Sequence, residues 1–394
     1  FKQKTAYEIV SRDWSSDVCS SDLPPLVDGH IHLDKTLLGL PWVPNRADGN
    51  TVSDRIEAER RVRAERSVPE TVTGANLVNQ VMASGTLHMR THVDIDNRLG
   101  LRNLNSILEV RERFRGLVTI EIVAFPQSGI LRSPGTAALL DEAASSGADL
   151  IGGLDPVGID GDLAGHLDSV FAIAARHGKG IDIHLHDGGE VGLAQIDAIA
   201  ERTVAGGLSG KVAVSHAFAL GSVPLDTAKR TADRLARASV AIMSHGPGAA
   251  TMPPLLMLRD HGVRVFAGSD NIRDAWSPFG NGDMLERAML IGYRGNYRRD
   301  EELAFTLDLV TTNAVLLGLF NLFLGNITSK DGFDFTDNDI EKWFDSIEIY
   351  LCTKVPTARM FVRGCFGKNT VCKTGFSGSS KDSRMHRACQ DMVD

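Results

Sequence analysis

The 394-residue sequence lacks the features that would place it among membrane, nucleic-acid-binding or disordered proteins. No apolar run approaches the roughly 18 residues that a membrane-spanning helix needs. Positive charge is not in excess, because the formal net charge is -8, and this argues against nucleic acid or an anionic membrane as partner. With 43% hydrophobic residues the chain can bury a core, which excludes a disordered protein. We therefore expect a soluble protein with a small-molecule partner.

The middle of the sequence contains no cysteine. All five cysteines fall outside residues 24–318, at Cys19, Cys352, Cys365, Cys372 and Cys389. Their spacing includes no CxxC pair, so it supports neither a zinc ribbon nor a thiol redox motif. A cysteine-free middle without an export signal predicts a cytoplasmic protein.

Composition changes at both ends of the chain. Residues 24–318 contain 25 arginines and 4 lysines, whereas residues 319–394 contain 4 arginines and 6 lysines. Residues 1–23 have neither the apolar core of a signal peptide nor the arginine-rich pattern of a transit peptide. We predict one folded region over 24–318, flanked by segments 1–23 and 319–394 of foreign origin, with divergent native ends as the alternative.

Short apolar runs rich in β-branched residues recur along the middle, with helical patterns between them. We predict eight strands, over residues 26–34, 86–94, 118–127, 149–156, 181–187, 211–218, 239–245 and 263–270. Strands that alternate with helices predict a parallel sheet, and eight such units favour an α/β fold of the closed (β/α)8 TIM-barrel type over an open doubly wound sheet. The stretch DRIEAERRVRAER mixes charges at helical spacing, which predicts a solvated helix face rather than a nucleic-acid patch.

Nearly every predicted strand finishes in a side chain that can bind a metal or move a proton. These residues are His30, His32, His92, Asp94, Gln127, Asp155, His184, His186, Asp187, His216, His245 and Asp270. In a barrel, the carboxyl ends of the strands converge on one mouth, where catalytic sites lie. We therefore expect these side chains to be neighbours.

The first strand carries HIH, and alternation along a strand points His30 and His32 to the same face. An HxH pair alone is only a weak indication of a metal site. His184 on the fifth predicted strand and Asp270 on the eighth complete a donor set for one divalent ion, zinc or iron.

Seven segments carry a resemblance to a known family: HIHLDKT, GTLHMRTHVDID, VAFPQSGIL, GADLIGGLDP, IDIHLHDGGEVG, VAVSHAF and SDNIRDAWSPFGNGDM. Together they make residues 24–318 resemble the amidohydrolase superfamily, in its mononuclear cytosine deaminase-like branch, and aminotriazine-degrading members of the same superfamily. The resemblance implies a barrel of the metal-dependent hydrolase type, with a metal held by His30, His32, His184 and Asp270. Binuclear members carry a carboxylated lysine on the fourth strand, whereas IGGLDP has none, which favours one metal ion.

The resemblance also implies which residues carry protons. Asp187 is the candidate proton shuttle, at a position where cytosine deaminases usually have glutamate, and a strand-end cap is the alternative. His216 is expected near the metal-bound water, with a neutral core histidine as the alternative. Asp270 is expected to take the first proton from that water.

Further residues are expected to face the substrate. By resemblance these are Gln127, Asn271 and Trp276, and a merely solvated strand end is the alternative for Gln127. His186 and Lys35 are open between lining the pocket and supporting other side chains through hydrogen bonds or salt bridges. We expect His92 and Asp94 to support the ligands of the first strand.

The implied function is hydrolysis of a carbon–nitrogen bond in a cyclic amidine. Attack of metal-bound hydroxide would release ammonia or an alkylamine from a small nitrogen heterocycle, either a pyrimidine such as cytosine or an aminotriazine. The second hypothesis is a non-catalytic barrel that binds metal or a partner without turnover. It arises because family members flank the barrel with a small β-domain, and both chain ends here depart from that pattern. The resemblance also implies a homo-oligomer.

Overall fold

The computed structural model describes residues 25–315, except 45–46, 66–67 and 249. Within them, eight strands form one sheet in chain order, and each successive pair is parallel. The strands are β1 (Leu26–Ile31), β2 (Thr86–Asp94), β3 (Thr119–Phe125), β4 (Leu150–Leu154), β5 (Gly180–Leu185), β6 (Val212–His216), β7 (Ala241–Ser244) and β8 (Val265–Ala267). The predicted segments 1–23 and 319–394 lie outside the described residues.

Helices alternate with the strands and form the outer layer. They are α1 (Val52–Glu65), α2 (Glu70–Ala83), α3 (Arg102–Arg113), α4 (Thr136–Ser145), α5 (Leu163–His177), α6 (Gly189–Ala205), α7 (Leu225–Ala238), α8 (Leu255–Asp260), α9 (Met284–Arg294), α10 (Asp300–Asp308) and α11 (Thr312–Val315). A short 3-10 turn covers Phe218–Gly221. None of the helices in the described part of the chain is both long and apolar enough to cross a membrane. The predicted (β/α)8 barrel is confirmed.

All eight predicted strands are present, but most are shorter than predicted. Strand β8, for example, was expected over 263–270 and is observed over Val265–Ala267. Strand β1 was expected to reach residue 34 and ends at Ile31. Several of the residues left outside the observed strands are polar ones that follow the apolar run, such as Gln127, His186, His245 and Asp270.

The barrel closes between β1 and β8 over a very short seam. The Asp270 backbone N–H donates to the His30 carbonyl oxygen at 2.7 Å, and Ile31 pairs with Asp270 as an isolated parallel bridge. The Ser269 N–H donates to an Asp28 carboxylate oxygen at 2.9 Å. Gly268 permits this approach, because a Cβ there would lie 2.5 Å from the His30 nitrogen. The first and last strands therefore meet beside residues predicted to bind metal.

Helix α5 shows how the sequence specifies the outer layer. The Asp162 side chain caps the helix start by accepting from the Gly165 N–H at 3.0 Å. Gly178 ends the helix in the left-handed region, with φ of 65°. The apolar residues Leu167, Val170, Ile173 and Ala174 recur at helical spacing and are buried.

A buried ion cluster fills the middle of the barrel. Arg90 on β2 donates from Nε to Glu121 on β3 at 2.6 Å, and from Nη1 to Asp182 on β5 at 2.9 Å. All three side chains belong to residues that are at most 4% exposed. An unpaired charge at this depth would be costly, so the pairing is what allows these ions inside the barrel.

Helix α1 corrects one prediction. The stretch DRIEAERRVRAER was expected to form a solvated face, yet Glu59 is 3% exposed and accepts from Arg63 Nε at 2.6 Å. Arg63 also donates to Asp94 at 3.0 Å. Glu57 and Arg61 on the same helix are exposed. The mixed charges are therefore divided between a solvent face and a face that contacts the barrel mouth.

Candidate metal centre and active site

Three imidazoles converge at the carboxyl end of the barrel. His30 lies on β1, His32 just after it, and His184 on β5. One ring nitrogen of each lies within 4.8 Å of the others, and each residue is at most 3% exposed. The structure thus brings together the three histidines that the sequence singled out as metal ligands.

Asp270 completes this group from the loop after β8. Its Oδ1 lies 3.3 Å from His32 Nε2 and 3.5 Å from His30 Nε2. The Asp270 backbone is left-handed, with φ of 61°, and two other residues at strand ends share this conformation, Asp155 at 35° and His216 at 73°. Backbone strain in residues other than glycine is typical of functional sites, where the surrounding structure holds it in place.

The ring nitrogens fit a metal ion. His32 Nδ1 lies 3.2 Å from the His92 carbonyl oxygen, which can only accept, so in neutral His32 the proton is on Nδ1 and Nε2 presents a lone pair. His30 Nε2 and both ring nitrogens of His184 are buried without a hydrogen-bond partner among the described residues. Such atoms are costly, and a bound cation would satisfy them. Three imidazoles and one carboxylate form a donor set for zinc or iron.

Burial sets the protonation states in this group. Burial lowers the pKa of His32 to about 4, and burial together with the neighbouring imidazoles lowers the pKa of His184 well below its usual value. Burial opposes ionisation of Asp270, but the imidazoles of His245, His30 and His32 hold its pKa well below the usual range. At neutral pH the imidazoles of His32 and His184 are therefore neutral, and the carboxylate of Asp270 is ionised.

His216 lies beside the predicted ligands. One of its ring nitrogens groups with a His30 nitrogen and an Asp270 oxygen, all within 4.8 Å of one another. Its Nδ1 is 3.1 Å from His245 Nδ1, and its Nε2 is buried with no hydrogen-bond partner among the described residues. Burial and the neighbouring His186 lower the pKa of His216 well below its usual value. The structure therefore places a neutral imidazole at the edge of the metal group.

The residues after β5 are held by the loop after β4. His186 Nδ1 lies 2.8 Å from Asp155 Oδ2, and although burial alone would lower the pKa of His186, this carboxylate raises it. Asp187 Oδ2 accepts from the Gly158 N–H and from Gln195 Nε2, each at 2.9 Å. These two bonds fix the Asp187 carboxylate at the strand end and engage one of its two oxygens.

Lys35, Gln127 and Trp276 meet in a buried ion network. Gln127 Nε2 donates to Glu59 at 2.9 Å and to Asp94 at 3.0 Å, and its Oε1 accepts from Lys35 Nζ. Lys35 Nζ also lies 3.2 Å from Asp94. Trp276 Nε1 donates to Glu59 Oε2 at 2.5 Å. Glu59, which the sequence did not single out as a site residue, is thus the acceptor that links two predicted substrate-facing side chains.

Asn271 and His92 occupy supporting positions. Asn271 Nδ2 donates to Asp274 within its own loop at 2.6 Å, and burial raises the pKa of Asp274 to about 6. The His92 ring stacks on His30 with centroids 3.9 Å apart, while its carbonyl oxygen holds His32. Asp94 belongs to the ion network around Lys35.

Two polar residues beneath His30 were missed by the sequence analysis. Ser215 Oγ lies 2.9 Å from His30 Nδ1 and donates to Asp182 Oδ1 at 2.7 Å. Asp182 could have been found, because it lies two residues before His184 and alternation puts both on the barrel interior.

Adding metal should stabilise the protein in a melting experiment. We expect zinc at about 100 times its dissociation constant to add about 2.7 kcal/mol to the free energy of unfolding of chelator-treated protein, because the ion binds only the folded site. Differential scanning calorimetry measures the shift. Magnesium at the same concentration is the control, since it prefers oxygen ligands. Equal melting temperatures with and without zinc would contradict a site completed by metal.

A (β/α)8 barrel with histidines and a carboxylate at its mouth is the architecture of a metal-dependent hydrolase. The profile of the amidohydrolase family matches residues 23–317. The chain therefore belongs to the amidohydrolase family, as its motifs indicated.

Three similar proteins place the chain more closely. It is 37% identical over 297 residues to the uncharacterized protein YahJ of Escherichia coli (strain K12), covering 75% of this chain and 64% of that relative. It is 46% identical, with a TM-score of 0.71, to N-isopropylammelide isopropylaminohydrolase from Burkholderia multivorans ATCC 17616, covering 75% of this chain and 74% of that structure. It is 25% identical, with a TM-score of 0.67, to 5-methylcytosine deaminase from Klebsiella pneumoniae liganded with phosphonocytosine, and the match covers 77% of this chain and 76% of that structure.

Two of these three relatives, the isopropylaminohydrolase and the deaminase, are named as hydrolases of carbon–nitrogen bonds. The matched region spans under two thirds of the E. coli relative.

Proposed function

We propose that this protein is a metal-dependent aminohydrolase that releases ammonia or an alkylamine from a small nitrogen heterocycle. The observation that carries the proposal is the convergence of His30, His32, His184 and Asp270, where His30 Nε2 and both ring nitrogens of His184 are buried without a hydrogen-bond partner among the described residues. The family membership supports the same chemistry.

The chain's own residues supply binding and proton transfer. A single zinc or iron ion held by the four ligands would lower the pKa of a water molecule to about 7, making a nucleophile available at neutral pH. His216, whose Nε2 has no hydrogen-bond partner among the described residues, is proposed to hydrogen-bond to the attacking oxygen. Asp270, ionised by its neighbours, can accept a proton as that oxygen approaches the ring carbon.

Asp187 is proposed to carry the proton to the leaving group. Its Oδ2 is fixed by Gly158 and Gln195, so the proposed proton carrier is Oδ1. Asp187 passes one proton of the water to a ring nitrogen as the C–O bond forms, and it then delivers the second proton, taken up by Asp270, to the departing amine as the C–N bond breaks. His186, whose pKa the Asp155 carboxylate raises, would line the pocket on the same side as Asp187.

An aminotriazine is the first candidate substrate. The support is the 46% identity to N-isopropylammelide isopropylaminohydrolase, which is well above the 25% identity to 5-methylcytosine deaminase. Asp187 is one methylene shorter than the glutamate of cytosine deaminases, which also disfavours cytosine. We propose that Gln127, Lys35 and Trp276 line one side of the substrate pocket. Glu59 accepts hydrogen bonds from Gln127 and Trp276, and Lys35 donates to Gln127. Asn271 would line the pocket from the loop after β8.

An amine-release assay tests the proposed substrate class. Zinc-loaded protein is incubated separately with N-isopropylammelide, cytosine and 5-methylcytosine, and isopropylamine or ammonia is quantified. We expect release from N-isopropylammelide to exceed release from either pyrimidine by at least about tenfold, the scale at which a well-matched pocket discriminates. Faster release from cytosine would make the pyrimidine the substrate. No release from any of the three, with metal bound, would favour the non-catalytic barrel.

Asp187→Asn should retain metal and lose turnover. The amide cannot accept and return a proton at this position, so we expect kcat to fall about 10²- to 10⁴-fold. Metal content, measured by elemental mass spectrometry, should be unchanged because Asp187 is not among the four proposed ligands. Asp168→Asn is the matched control, since that carboxylate is exposed on α5 and pairs with Arg202. Loss of metal in Asp187→Asn would contradict its proposed role as proton carrier.

A further inference from the structure

His30 has a hydrogen-bond partner on the side of its ring that faces the barrel interior. The residue is fully buried, and its Nδ1 lies 2.9 Å from Ser215 Oγ on β6. Ser215 Oγ in turn lies 2.7 Å from Asp182 Oδ1 on β5. Ser215 and Asp182 are both fully buried, so within the described residues this chain of contacts has a fixed geometry.

The direction of these bonds follows from counting protons. Asp182 Oδ2 accepts from Arg90 Nη1 at 2.9 Å, so the carboxylate of Asp182 is one half of a buried ion pair with a guanidinium. An ionised carboxylate can only accept, so the single proton of the Ser215 hydroxyl points to Asp182. The serine oxygen then has only lone pairs to offer His30, and His30 Nδ1 must be the donor.

We infer that Asp182 and Ser215 form a relay that fixes His30 in the tautomer protonated on Nδ1, so that its Nε2 presents a lone pair to the metal. The inference rests on the metal site of the proposed function and adds two positioning residues to it. His30 Nε2 is buried without a hydrogen-bond partner among the described residues and lies 3.5 Å from Asp270 Oδ1, beside the other proposed ligands.

The two neighbouring ligands, His30 on β1 and His32 just after it, are thus oriented by different means. His32 donates from Nδ1 to a backbone carbonyl oxygen, which no side-chain substitution removes. His30 depends on one hydroxyl group, which a single substitution can delete. Hydrogen bonds to the far nitrogen of a ligating histidine orient the ring and raise its basicity, and their loss typically costs about 10- to 100-fold in metal affinity.

The test compares Ser215→Ala with two variants. Ser244→Ala is the matched control, because Ser244 is an equally buried serine at the end of β7 whose Oγ accepts from the Gly246 N–H at 3.2 Å. Ser215→Thr restores a hydroxyl and serves as rescue. Zinc dissociation constants are measured for the full chain by competition with a chromogenic chelator. Two-bond ¹H–¹⁵N spectra of histidine-labelled, metal-free protein report which His30 nitrogen carries the proton, and melting curves of the metal-free variants show that each is folded.

The expected result is a zinc dissociation constant about 10- to 100-fold higher in Ser215→Ala, within about threefold of wild type in Ser244→Ala, and largely restored in Ser215→Thr. Wild-type His30 should carry its proton on Nδ1, and Ser215→Ala should lose this preference. Wild-type affinity in Ser215→Ala, or a wild-type His30 protonated on Nε2, would overturn the relay while leaving the metal site standing. A wild-type protein that binds no zinc would instead overturn the proposed function.

Discussion

His184→Ala is expected to lose bound metal and amine release together. The substitution removes the imidazole that β5 contributes and leaves His30, His32 and Asp270, which is one nitrogen donor fewer than the proposed site uses. We expect elemental mass spectrometry to find close to one zinc or iron per wild-type chain and less than about a tenth of that in the variant. Turnover should fall by at least about 10³-fold, because the nucleophile is no longer available at neutral pH.

His261→Ala is the matched control for this experiment. Its imidazole is partly exposed, lies after α8, and pairs with Asp233 at 2.7 Å. Metal content and turnover should match the wild type. Full metal retention in His184→Ala would remove that residue from the ligand set, and about two metal ions per wild-type chain would indicate a binuclear site.

Arg90→Met is expected to destabilise the fold by about 3–5 kcal/mol. The substitution leaves the carboxylates of Glu121 and Asp182 buried in the barrel without the guanidinium that pairs with both. Urea titration followed by circular dichroism measures the change. Without Arg90, the pKa values of these two carboxyls in the folded state should lie above their values in the unfolded state. The loss of unfolding free energy relative to wild type should therefore become smaller as the pH falls and larger as the pH rises.

Arg115→Met is the comparison for an exposed pair. Arg115 donates to Glu112 one turn away on the protein surface, where ion pairs contribute about 0–1 kcal/mol. The triple variant Arg90→Met, Glu121→Gln, Asp182→Asn should recover part of the lost stability, since it removes the buried charges altogether. A loss below about 1 kcal/mol in Arg90→Met would show that the cluster contributes little.

The strands and their polar ends were predictable because both signals are local. The strands of a parallel sheet covered by helices are buried, and they are therefore short apolar runs rich in β-branched residues. All eight strands could be located from the sequence for this reason. The convergence of His30, His32, His184 and Asp270 then follows from barrel closure, which the repeat number alone implies.

Ser215 shows where alternation fails as a guide. Adjacent residues on a strand should face opposite sides, so a reader who places His216 inside the barrel mouth places Ser215 outside. In the structure both lie inside, because His216 has a left-handed φ of 73° that turns the chain at the end of β6. Sequence patterns carry no signal for such a conformation in a residue other than glycine.

Glu59 shows a second limit. Its helix carries charges of both signs on all sides. Because the buried face also consists partly of charged residues, the spacing of charges along the sequence does not show which face is exposed to solvent. Those partners, Arg63, Lys35, Gln127 and Trp276, come from three further parts of the chain as well as from α1 itself. Such a network is stable only as a set, so no single segment predicts it.

The short seam between β1 and β8 joins parts of the chain that are far apart in sequence, and it includes the proposed ligands His30 and Asp270. The Ser269–Asp28 contact joins residues 241 positions apart, and the neighbouring Asp270–His30 bond spans almost the same length of chain. Contacts of such high sequence separation carry the largest loop-closure entropy and are usually made late. Two of the four proposed ligands lie on this seam, so a metal ion bound by them would join the first and last strands and offset part of the entropy cost of closing the barrel.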